Sequence, residues 1–76
     1  MADKKSELIE IITVTLGVNK EDVKDDSLFV EDLGADSLDL TELILNIEDR
    51  FNIKIDDTQV GKFKKVIDVL DYLNRG

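Results

Sequence analysis

The chain has 76 residues, 18 acidic and 10 basic, for a net charge of −8, and it contains no Cys, His or Trp. One small domain spanning residues 1–76 is therefore expected. Thiolate zinc sites, disulfides, cysteine nucleophiles and Ser-His chemistry are excluded, nucleic acid and anionic membrane surfaces are disfavoured, and basic protein partners are favoured. The N-terminal residues lead into no uninterrupted apolar run, so neither a signal peptide nor a membrane span is expected, and a cytoplasmic location is.

Leu8, Ile11, Ile12 and Leu16 are spaced i, i+3, i+4, i+8, with Ile9 on the flank. That spacing predicts a helix over about Lys4–Leu16, stopped by Gly17. From Val18 to Gly34 the period fails. The reading there is a long connection pinned to the core by Leu28, Phe29 and Leu33, with a turn of helix near Lys20–Val23. Connections of that length are uncommon in compact domains and often functional.

The strongest stripe is Leu40, Leu43, Ile44, Ile47 and Phe51. It predicts a helix with Asp36 as N-cap and Asp39 at N3 completing a capping box, ending at Asn52 or Ile53. After Ile55, Asp56 as N-cap, Gln59 at N3 and an Ile55–Val60 staple predict about one turn, weakened by Gly61. A last helix carries Val66, Val69, Leu70 and Leu73 and ends at Asn74-Arg75-Gly76; no good N-cap is visible before it. No segment alternates with period two. The fold class is all-α: a small up-and-down bundle of three main helices and one short one, with a long loop between the first and second helices.

Ser37 stands out. Asp36 fills the N-cap role, which leaves the Ser37 hydroxyl free at N1, just after Gly34. Helix N-termini stabilise phosphate through free N–H groups and the macrodipole. On spacing alone, a serine making local hydrogen bonds is the commoner reading. On the same helix, a rotation of about 100° per residue points Leu38 and Leu45 away from the core, among Thr41, Glu42, Glu48 and Asp49. Acidic faces and isolated surface leucines usually mean only solvation. Two of them beside Ser37 raise a docking surface to even standing. Asp25-Asp26 and Asp56-Asp57 lack the spacing of a calcium loop, so diffuse counter-ions are expected rather than a metal site.

Phe29-Val30-Glu31-Asp32-Leu33-Gly34-Ala35-Asp36-Ser37-Leu38-Asp39 closely resembles the modification motif of bacterial acyl carrier proteins of fatty-acid synthesis. Leu16-Gly17-Val18, Phe51 and Ile67-Asp68-Val69-Leu70-Asp71-Tyr72-Leu73 extend the resemblance over nearly the whole chain. It implies that a phosphopantetheinyl transferase attaches 4′-phosphopantetheine to Ser37, flanked by Asp36 and Leu38. The arm's thiol then carries acyl groups, which accords with a chain that has no cysteine. The resemblance implies a monomeric carrier rather than an enzyme, docking on fatty-acid synthesis enzymes with basic patches. The matching contact positions are Asp36, Leu38, Asp39, Thr41, Glu42, Leu45, Glu48 and Asp49. It also implies an acyl chain sheltered in the bundle, with Leu43, Ile47, Ile55, Val60, Phe63 and Leu70 as the expected lining.

The chain departs from the family pattern in three places. Asp56 stands where Pro is common, Lys64 and Lys65 where Thr or Ser are common, and Leu40 at a usually polar position. Gly34-Ala35-Asp36-Ser37-Leu38 favours acyl over peptidyl carriers. Carriers for polyketide or D-alanyl transfer share the fold and stay open, as does an acidic interaction module that works unmodified. An esterase is disfavoured, because there is no His and no Gly-x-Ser-x-Gly elbow.

Overall fold

The computed structural model describes residues 3–75; the expected domain ends Met1, Ala2 and Gly76 lie outside the described residues. Its elements are α1 (Lys4–Leu16), a 3₁₀ turn (Lys20–Asp22), α2 (Ser37–Phe51), α3 (Asp57–Val60) and α4 (Val66–Arg75). Among the described residues there is no strand, only an isolated antiparallel bridge between Leu28 and Lys65.

The expected stripes meet in one core. Leu8, Ile11 and Ile12 of α1, Leu43, Ile44 and Ile47 of α2, and Val66, Val69, Leu70 and Leu73 of α4 are buried. Leu40 and Phe51, at the two ends of the α2 stripe, are half-buried and pack against that core. Burying a side chain such as Leu8 or Ile47, both 0% exposed, contributes about 1.5–3 kcal/mol.

Asp3 caps α1, its carboxylate accepting from the Ser6 N–H at 2.8 Å. Gly17 closes the helix at φ 68°, donating its N–H to Thr13 O. Arg50 of α2 reaches Glu10 at 2.8 Å and Glu7 at 3.4 Å on α1, and Asn46 Nδ2 donates to Thr15 Oγ1 at 2.8 Å. These contacts raise the Arg50 guanidinium above its ordinary pKa, first through its hydrogen bond to Glu10.

The long connection between α1 and α2 is pinned much as expected. Phe29 and Leu33 are buried and Leu28 is half-buried; Val23 and Ala35 join them. Part of its backbone is satisfied locally and part by the start of α4, the Phe29 N–H donating to Lys64 O at 3.0 Å. Buried Ser27 accepts from the Lys24 N–H at 2.9 Å and donates to Asp22 O at 3.1 Å, and Asp32 accepts from the Leu28 N–H at 2.8 Å.

One helix start differs from the sequence expectation. Asp56 makes no side-chain cap, so the box with Gln59 does not form. The reason is local: the N–H groups of Gln59 and Val60 both donate to the Asp56 backbone carbonyl, at 2.9 and 3.1 Å, which leaves the carboxylate no N3 donor. At α4, as expected, no N-cap side chain precedes the helix; an acid inside its first turn serves instead. Asp68 reaches back to accept from the N–H groups of Lys65 (2.9 Å) and Lys64 (3.1 Å). The next two N–H groups, of Val66 and Ile67, donate to the carbonyls of Ser27 (3.0 Å) and Asp25 (2.9 Å) in the long connection. All four donors at this helix start are paired, as buried helix ends require.

Candidate functional site

The site is built on the first turn of α2. Asp36 is extended (φ −102°, ψ −175°) and accepts from the Asp39 N–H at 2.8 Å; Asp39 accepts in return from the Asp36 N–H at 3.2 Å. This reciprocal box fixes where the helix begins. Gly34 turns the chain into it at φ 71°, a left-handed backbone that a residue with a Cβ resists. The neighbouring Ala35 is buried, and its N–H donates to Phe29 O at 2.8 Å. The segment before α2 is thus anchored at both the core and the cap.

Ser37 follows at N1 and is exposed. Asp36 and Asp39 satisfy each other, so the Ser37 hydroxyl has no capping task. Only its carbonyl is engaged from the side, accepting from Thr41 Oγ1 at 3.0 Å. The Asp39 and Leu40 N–H groups are committed to the Asp36 carboxylate and carbonyl. The N–H groups of Ser37 and Leu38 have no protein partner among the described residues, as the first helical positions dictate. Two free donors and the positive end of a helix therefore lie beside the Ser37 oxygen, a setting that fits a phosphodiester attached there. The Asp36 and Asp39 carboxylates repel such a group, which favours an arm directed out into solvent over one folded back onto the box.

The outward face expected on α2 is present. Leu38 is 68% and Leu45 58% exposed, with Asp36, Thr41, Glu42 and Asp49 exposed and Asp39 half-buried around them. Glu48 is half-buried and differs from these: its carboxylate accepts from the Ile55 N–H at 2.7 Å, tying α2 to the segment before α3. Val30, in the connection that leads to Ser37, is a further exposed apolar residue; it lies outside any helical period, so spacing gave no signal for it. Leu43, Ile47, Ile55, Phe63 and Leu70 are buried in the common core, and Val60 is half-buried against it.

A sequence model described as a phosphopantetheine attachment site matches residues 6–73. The acyl carrier protein of Nitratidesulfovibrio vulgaris (strain DP4) is 54% identical over 65 residues, 86% of each chain. The chain belongs to the acyl carrier protein family. The acyl carrier protein of Chloroherpeton thalassium is 46% identical over 69 residues, covering 91% of this chain and 86% of its own. That of Wolinella succinogenes is 50% identical over 64 residues, 84% of each. As an acyl carrier protein the chain is a non-catalytic carrier with a phosphopantetheine attachment site. No helix among the described residues is long and apolar enough to cross a membrane.

Proposed function

We propose that Ser37 is the attachment residue and that this chain carries growing fatty acyl groups between enzymes of fatty-acid synthesis. The observation that carries the reading is the uncommitted, exposed Ser37 side chain at a helix start whose two carboxylates each accept from the other residue's backbone N–H. The prosthetic group, when bound, supplies the thiol on which acyl groups ride as thioesters. The chain's own part is to hold the Ser37 oxygen at a fixed place, offer two N–H donors beside it, and present α2 to partners.

That face combines Leu38 and Leu45 with Asp36, Asp39, Thr41, Glu42 and Asp49, a small apolar ridge in an acidic field that suits basic-rimmed enzymes. Glu48 contributes charge to the same side while its carboxylate also holds Ile55. The phosphopantetheinyl transferase is the first of these partners. The working form is a cytoplasmic monomer of one domain, and Leu43, Ile47, Ile55, Val60, Phe63 and Leu70 part to admit the acyl chain.

Incubation with a promiscuous phosphopantetheinyl transferase and coenzyme A tests the attachment. Intact-mass measurement should show one arm added to the wild type and none to Ser37→Ala. No gain in the wild type, or an equal gain in the variant, overturns it.

A further inference from the structure

The charge of this protein is divided unevenly. Residues 3–53 hold fourteen acids and five bases, whereas residues 54–75 hold four acids and five bases. Where this less acidic segment meets the start of α1 and the end of α2, a groove of about 530 Å³ opens beside the last turns of α4. Its apolar wall is Phe51, Ile53, Tyr72 and Leu73, and its charged rim is Lys4, Lys54 and Arg75. The volume is in the range of about 300–1,000 Å³ usual for small-molecule sites.

Two hydrogen bonds between elements hold the rim. Lys4 Nζ donates to Leu73 O at 2.8 Å, fastening α1 to α4, and Tyr72 Oη donates to Lys54 O at 3.4 Å, fastening α4 to the segment after α2. Edge-to-face packing of Phe63 on Tyr72, with centroids 5.5 Å apart, sets the tyrosine ring. Among the described residues none of the three rim cations is in an ion pair; the pairs found there use Lys5 and Arg50. Lys4 spends one of its three donors on Leu73 O and keeps the others. An apolar wall edged by three cations, none of them in an ion pair among the described residues, is complementary to a molecule with one anionic head and one apolar tail.

We propose that this groove binds a free, single-chain carboxylate amphiphile, its tail against Phe51, Ile53, Tyr72 and Leu73 and its carboxylate among Lys4, Lys54 and Arg75. The site is independent of any arm on Ser37, which lies at the opposite end of α2.

Tyr72 is the single tyrosine and there is no tryptophan, so intrinsic fluorescence reads the groove directly. The experiment titrates decanoate, below its micelle concentration, into the full unmodified chain and into Ser37→Ala. A saturable fluorescence change, equal in the two proteins, is expected, with amide shifts in NMR spectra centred on Ile53, Lys54, Tyr72 and Leu73. Lys54→Glu with Arg75→Glu should weaken it at least tenfold while far-UV circular dichroism stays unchanged; Lys54→Gln with Arg75→Gln repeats the test without added negative charge. The proposal is overturned if no saturable change occurs or if decyltrimethylammonium binds as well as decanoate. It is equally overturned if the charge variants bind undiminished, which would leave the cations only as neutralisers of the α4 C-terminus. A Tyr72 signal that follows protein concentration alone would make the groove an interface between copies and also overturn it.

Discussion

At the residue scale, single carboxylates do specific backbone work in this acidic chain. Asp68 serves two N–H groups at the start of α4, so Asp68→Ala should destabilise the fold by about 1 kcal/mol, as loss of a cap does. Asp68→Asn, which keeps an acceptor, should recover part of it. Denaturant midpoints and amide exchange at Lys64 and Lys65 measure both. Asp3 gives a pH signature. Its hydrogen bonds from Ser6 lower its pKa below the ordinary 3.8. A depressed folded-state value means that its stabilisation is complete above the unfolded value and is lost as pH falls through the folded one. The first turn of α1 should therefore fray below about pH 4 ahead of the rest, seen as early loss of amide protection at Ser6 and Glu7, and Asp3→Asn should flatten that dependence. The Asp36–Asp39 box was legible in the sequence because both partners sit three residues apart on one helix start. The Asp68 cap was not, because an acid at N3 without a side-chain cap before it gives no signature.

At the element scale, α2 divides its work between two faces. One buries Leu43, Ile44 and Ile47, and the other exposes Leu38 and Leu45 among acids. Both were legible because a period of 3.6 residues is a local property of the sequence. Glu42 is exposed on the outward face, so Glu42→Lys should reduce the association rate with an elongating synthase at low salt, leaving dissociation and the melting temperature nearly unchanged. Stopped-flow binding with a synthase is the measurement, and an unaltered association rate would remove this face from docking. The start of α4 was not legible, since its donors are met by Ser27 and Asp25 carbonyls some forty residues earlier in the chain, a pairing that only the tertiary fold creates. Asp56 failed the opposite way. Its motif was present, but a helix of four residues closed its first turn on the backbone carbonyl instead. Glu48 likewise reads as one more surface acid until the chain turns back past Asn52 and brings the Ile55 N–H to it.

At the scale of the whole molecule, a net charge of −8 on 76 residues is held in a body whose Cα radius of gyration is 11.1 Å. Its carboxylates lie closer together in the fold than in the open chain, and fourteen of them fall in residues 3–53. Repulsion of that kind is screened over about 8–10 Å at physiological ionic strength. The melting temperature should accordingly rise by several degrees between low and 0.5 M salt; a flat or falling response in calorimetry would contradict it. The same asymmetry leaves residues 3–53, which include α2, strongly acidic and residues 54–75 close to neutral.

Everything proposed for the acidic side depends on Ser37. The most direct measurement is tandem mass spectrometry of the protein isolated from its own cells, with the modification mapped to a peptide. The account predicts phosphopantetheine on the fragment ions that contain Ser37 and on no others. The arm on another hydroxyl, such as Ser27 or Thr41, or a chain that never carries it, would contradict it.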